Sequence, residues 1–147
     1  MNRGHYYLVG NHENYDDMST LRVDRIAHIT VLNERRKPLR EIKGYQQQRT
    51  FNVSQYVKEH IYMFGGESIT VTFKARRSIV NQILDWFDGN VEFTNITADN
   101  VVCRVRVNHD AFKYWALQYM QSVKVLTPAS LVTEVKAAIE EGLHQYS

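Results

Sequence analysis

The residues best suited to chemistry are arginines set beside aromatic rings. Arg22-Val23-Asp24-Arg25 places two guanidinium groups around one carboxylate, and Tyr6-Tyr7 lies shortly upstream. A guanidinium fork matches phosphate or a base edge through two parallel hydrogen bonds. A neighbouring tyrosine ring can stack a base, worth roughly 1–3 kcal/mol. On a β-strand Arg22 and Asp24 share a face, and Arg25 points the other way unless a bulge re-aims it. The same spacing equally suits a surface ion pair between Arg22 and Asp24, worth under about 1 kcal/mol. Arg76-Arg77 precedes an apolar-periodic segment that starts near Ser78. Cations there oppose the helix dipole, yet they can join free backbone N–H groups in holding an anion. They read equally as solvated turn residues. Arg104 and Arg106 fall on the polar side of a strand, open to solvent or to a partner. Arg35-Arg36-Lys37, before Pro38, reads as a solvated turn or a phosphate contact.

Other chemistries lack their parts. The six histidines form neither HxxxH nor HExxH, and His12-Glu13 with His5 is too sparse for a metal site. The single cysteine, Cys103, excludes an intramolecular disulfide and a cysteine-based zinc site. Gly65-Gly66 is a turn, not a phosphate loop, and no nucleophile–base–orienter set is present. The expectation is therefore no enzyme, no metal and no cofactor. Trp86 and Tyr114-Trp115 read as core, and Glu140-Glu141 as the outer face of the last helix.

These residues must be positioned by an ordinary folded chain. It has 147 residues, 44% of them apolar and 23% charged, with a formal net charge of +2. That composition excludes extensive disorder. No window is long and apolar enough for a membrane span, and no secretory leader is visible, so a cytoplasmic protein is expected. The charge is uneven: residues 1–65 carry ten Lys/Arg and seven Asp/Glu, and residues 66–147 carry eight and nine.

The second half is the more legible. Ser68–Lys74 alternates Ile69, Val71 and Phe73 with threonines, which predicts a half-buried strand. Ile79, Val80, Ile83, Leu84 and Phe87 share one helical face, with Ser78 as N-cap. Val91 and Phe93, then Val101, Cys103, Val105 and Val107, predict an antiparallel hairpin, with Cys103 a small buried hydrophobe. Phe112, Trp115, Ala116 and Tyr119 predict a helix over residues 109–120. Ser122–Leu126 predicts a strand. Thr127-Pro128 opens a last helix, with Thr127 as N-cap and Pro128 at the first helical position, whose stripe is Leu131, Val132, Val135, Ala138, Ile139 and Leu143. The order β-α-β-β-α-β, then α, predicts a ferredoxin-like domain over residues 67–147.

The first half is harder to close. Tyr6–Val9, Leu21–Ile26 and Ile29–Leu32 predict three short strands in residues 1–50. Residues 51–66 predict a helical connector. Three short strands need further cover to be stable.

Tyr6-Tyr7-Leu8, a polar turn, and Leu21-Arg22-Val23-Asp24-Arg25-Ile26 resemble the WYL domain of bacterial transcriptional regulators. Asp85-Trp86-Phe87 with Val91, and Trp115–Tyr119 with Val123–Pro128, resemble the WCX extension that follows it. Tyr6 stands where that family has tryptophan. The resemblance implies an α+β chain: a partial Sm/SH3-like β-barrel, then the ferredoxin-like domain with its C-terminal helix. It further implies that upstream barrel strands and a helix-turn-helix domain lie outside this chain. The implied function is a ligand-sensing module that binds a single-stranded nucleic acid or nucleotide through Tyr6, Tyr7, Arg22, Asp24, Arg25, Arg76 and Arg77. Duplex DNA would be met only through the missing helix-turn-helix domain, and the module would form a homodimer. The alternative is a structural dimerisation module without a ligand.

Overall fold

The computed structural model describes residues 4–147. The first three residues of the segment expected over 1–50 lie outside the described residues. The strands are β1 (Tyr7–Asn11), β2 (Met18–Arg22), β3 (Ser68–Arg76), β4 (Val91–Ile96), β5 (Asn100–Asn108) and β6 (Val123–Thr127). The helices are α1 (Val53–Glu59), α2 (Val80–Phe87), α3 (His109–Gln118) and α4 (Ala129–His144). The chain is α+β.

The last four strands form one sheet in the order β4-β5-β3-β6, and every neighbouring pair is antiparallel. α2 links β3 to β4 at the edge, and α3 links β5 to β6 at the other edge. Period-two alternation in β3 turns Val71, Phe73 and Ala75 to one face, opposite Val105, Cys103 and Val101 of β5. Ile83 and Phe87 of α2, Phe112, Trp115 and Ala116 of α3, and Leu131 and Val135 of α4 are buried in the same cluster. Phe73 is its hub, with ring centres 5.2 Å from Phe112, 5.3 Å from Trp115 and 6.2 Å from Phe87. Each such side chain contributes roughly 1.5–3 kcal/mol on burial.

Several expected details are corrected. Ser78 is not the N-cap of α2. Arg77–Ile79 forms a 3-10 turn, and the cap position falls on Ile79. Thr127 does not cap α4, because it still belongs to β6. Pro128 takes the cap position, and its carbonyl accepts the Val132 N–H at 3.1 Å. Asn108 caps α3 by accepting the Ala111 N–H at 3.0 Å, while its amide donates to the carbonyls of Gly65 and Glu67. Leu84, Ile139 and Leu143 are exposed, so the apolar stripes of α2 and α4 are only partly used, and Tyr114 of α3, expected in the core, is exposed as well.

The first half departs further. β1 and β2 form a two-stranded antiparallel sheet, with Leu8 opposite Leu21. The strand expected over Leu21–Ile26 stops at Arg22, and Val23–Arg25 is a 3-10 turn. Ile29–Leu32 is not a strand. These residues are exposed, and no neighbouring strand supplies ladder partners. Among the described residues the small sheet gains no third strand and closes no barrel. A second cluster covers its inner face: Met18, Ile42, Tyr56 and Met63, flanked by Tyr7, Val9, Leu39, Tyr45 and Phe51.

The connector is shorter than its periodicity suggests. Asn52 starts α1 by accepting the Gln55 N–H at 3.0 Å. His60 ends it: its backbone N–H and ring Nδ1 both meet the Tyr56 carbonyl. Gly65 then passes so close to β2 that a Cβ would lie 2.9 Å from the Met18 carbonyl oxygen. Only glycine allows this approach. It fixes the start of β3 against the small sheet.

Candidate functional site

A cleft of about 730 Å³ opens between the β2 end and residues 62–64. One wall carries Tyr7, Thr20, Leu21, Arg22 and Arg25, continuing through Ile26–His28. The other carries Tyr62, Met63 and Phe64. Tyr7 and Arg22 are Cα partners across the β1–β2 ladder, which brings them to one place. Arg25 reaches the same cleft because the chain turns after Arg22. A continuing strand would have sent Arg25 to the opposite face from Arg22.

Arg22 is already engaged. Its Nε donates to Asp24 Oδ1 at 3.0 Å and its Nη2 to Asp24 Oδ2 at 2.5 Å. The same Nη2 lies 3.2 Å from His5 Nδ1. The hydrogen bond from Arg22 holds the Asp24 carboxyl below its ordinary range, and the shared bond raises Arg22. Both the ion pair and the cleft position are therefore present at once.

The far wall is anchored to the larger sheet's helices. The Tyr62 hydroxyl donates to Gln118 Oε1 at 2.8 Å, and its ring lies 4.9 Å from that of Trp86. Phe64 meets Tyr114 edge-on at 5.6 Å. Met63, between them, adopts φ +54°, an uncommon value for a non-glycine residue.

Of the expected site residues, Tyr7, Arg22 and Arg25 come together, with Asp24 bound to Arg22. Tyr6 does not join them. It is exposed and does not line the cleft. Arg76 and Arg77 lie at the far end of the nine-residue β3, roughly 25–30 Å from its junction with the first half at about 3.3 Å per residue. Both are exposed, and Arg77 donates to the Thr97 carbonyl at 3.3 Å. Tyr62, Phe64 and His28 were not identified from sequence. Tyr62 and Phe64 fall in the segment 51–66 that the sequence reads as a helical connector, just before Gly65-Gly66.

A smaller, more polar cleft of about 210 Å³ lies where α1 meets the larger sheet, lined by Tyr45, Tyr56, Glu59, His60, Ser68 and Arg106 among others. Burial pushes the Tyr45 and Tyr56 hydroxyls up from their ordinary range; Tyr56 is partly offset by its 2.8 Å bond to Thr20. Among the described residues no group of three or more His, Cys, Asp or Glu side chains is placed to hold a metal ion, and no helix is long and apolar enough to cross a membrane.

No curated protein matches the chain. A WCX domain model matches residues 66–143, and a WYL domain model matches residues 1–31. These families are associated with the regulatory parts of transcription regulators. The WCX match covers more than half of the sequence, and it coincides with the four-stranded sheet and its helices. The chain belongs to the WCX-domain family, joined here to a partial WYL domain.

Proposed function

We propose that this chain is the ligand-sensing part of a transcription regulator, and that its effector is a single-stranded nucleic acid or a nucleotide held in the cleft beside Arg22. The observation that carries this reading is the meeting of Tyr7, Arg22 and Arg25 with Tyr62 and Phe64 in one cleft. Cations for phosphate and rings for bases are the two parts such a ligand needs. On this reading residues 1–50 are a partial Sm/SH3-like unit, 51–66 a connector and 67–147 a ferredoxin-like unit. A ligand bridging the two cleft walls favours one arrangement of the units and shifts the regulator's population.

The test is a fluorescence-anisotropy titration with short labelled single-stranded DNA and RNA at two salt concentrations. Saturable, salt-sensitive binding that is lost in Arg22→Ala/Arg25→Ala supports the reading. Equal affinity of the wild type and the double variant overturns it.

One observation favours the second reading, a dimerisation module. Leu8 and Leu21 are cross-strand partners on the outer face of the small sheet and both are about half exposed, with Tyr6 and Val23 beside them. Sedimentation of the chain over a concentration series tests it. A strictly monomeric species at high concentration rules it out.

A further inference from the structure

We infer that the open face of the four-stranded sheet docks on the sugar–phosphate backbone of duplex nucleic acid, independently of the Arg22 cleft.

Helices α2, α3 and α4 cover one face of this sheet, and α1 meets the other face at Arg106. The strands carry five cations, Lys74, Arg76, Arg104, Arg106 and Lys124, and a single carboxylate, Glu92. All six alternate with buried or half-buried residues, so they project from the uncovered face. Arg106 is paired with Glu59. Among the described residues the other four cations belong to no ion pair within 4.0 Å.

Arg104 has Glu92 as its Cα partner on β4, whereas the placement of Lys74 and Lys124 runs against sheet stability. Lys74 and Lys124 are Cα partners on adjacent strands. Like charges directly opposite each other destabilise a ladder. Arg76 follows two residues along the same face of β3, and Arg104 lies diagonally across on β5, two residues from Val102, the partner of Lys74. A local rule broken without compensation inside the fold points to compensation from outside it. An array of phosphates supplies that compensation.

The strands themselves turn no ring to this face, and that selects the partner. The two aromatic residues of these strands, Phe73 and Phe93, both pack into the core side. Single-strand binders pair a basic surface with aromatic platforms for the unstacked bases. A protein partner needs an apolar centre, and here only Val102 and Leu126 are available among threonines and charges. A duplex turns its bases inward and offers phosphates alone. Cations together with the hydroxyls of Thr70 and Thr72 suffice for it, without reading sequence.

The test titrates the whole chain with a short random-sequence duplex, and with one of its single strands, over a series of salt concentrations. Lys74→Gln/Lys124→Gln is expected to weaken duplex binding. It should also lower the slope of log affinity against log salt by about 1.8, since each lost phosphate contact contributes about 0.9. The same variant should keep or raise the melting temperature, because a like-charge pair has been removed. Arg22→Ala/Arg25→Ala should leave duplex binding unchanged, whatever it does to the single strand. Failure of the cleft reading thus leaves this inference standing, and the reverse also holds. Three outcomes overturn it: no duplex binding by the wild type, an unchanged salt slope in Lys74→Gln/Lys124→Gln, or tighter binding of the single strand than of the duplex to this face.

Discussion

Arg106 Nε lies 3.3 Å from Glu59 Oε1, and this ion pair joins the outer face of β5 to α1. The partners are unequally placed: the Glu59 side chain is 12% exposed and that of Arg106 is 55% exposed. Removing each therefore has a different cost. Arg106→Ala leaves a largely buried carboxylate without its cation, and is expected to cost about 1–3 kcal/mol. Glu59→Gln leaves a mostly solvated guanidinium and should cost under about 1 kcal/mol. Urea unfolding of the two single variants and the double variant checks the ordering. Equal losses would mean that Glu59 is satisfied by Gln55 alone, whose amide donates to it at 2.6 Å.

The Arg22 fork sets the acid behaviour of Asp24. Because Arg22 lowers the folded-state value, the pair's contribution is complete above the ordinary aspartate range. It is lost as pH falls through the lowered folded value. The Asp24 carboxyl signal in NMR should titrate below that of an unpaired aspartate, and Arg22→Gln should move it back up towards the ordinary aspartate range. An Asp24 that titrates normally in the wild type would show that the fork is not closed in solution. The ligand would then meet a free Arg22.

The alkaline limit should be set by buried groups. Burial pushes the Cys103 thiol up to about 11 from 9.0. An unfolded chain releases that proton near pH 9 while the folded one keeps it, so stability falls as pH rises from roughly 9 to 11. Tyr45 and Tyr56, raised by burial as well, act in the same direction at higher pH. Urea midpoints at successive pH values should decline over this window, and Cys103→Ala should flatten the first part of the decline. A thiol reagent at neutral pH should modify Cys103 only as the protein unfolds, because the side chain is fully buried.

What could be read from sequence follows from how many rules agreed at each place. Over residues 68–127, alternation, turn residues and helical stripes all pointed the same way, and the strands and helices fall close to the expected positions. The helix starts were misplaced because caps depend on where the backbone leaves the strand. Asn108 looks like the end of an alternating run, yet it caps α3 and holds the Gly65 turn. Residues 20–50 were misread because alternation continues on paper past Arg22, while the chain turns. That turn brings Arg25 into the cleft. Nothing local in Arg22-Val23-Asp24-Arg25 records it; it depends on the Val23 N–H meeting the Tyr6 carbonyl at 3.0 Å. Tyr62 and Phe64 were invisible as site residues because their wall exists only once α2 and α3 are in place.

The two clusters should come apart at Tyr56. Its ring is 3% exposed, lies 3.8 Å from His60 in a near-parallel stack, and tilts against Phe51 at 5.3 Å. Its hydroxyl bonds Thr20 of β2. Tyr56→Phe loses that bond alone, about 1 kcal/mol. Tyr56→Ala is expected to cost about 3–5 kcal/mol. Among the described residues the small cluster buries four side chains, against seventeen around the larger sheet. A loss of that size exceeds what so small a core can absorb, while the larger core makes no use of Tyr56. In Tyr56→Ala, amide hydrogen exchange should therefore lose protection over residues 7–22 and 39–63, while β3, β5 and α3 stay protected. Uniform loss across the sheet would instead show one cooperative unit. Binding should divide along the same line. Tyr62 and Phe64 remain docked on α2 and α3, but the wall holding Tyr7, Arg22 and Arg25 is gone. Single-strand binding in the cleft should then disappear while duplex binding by the open sheet face survives.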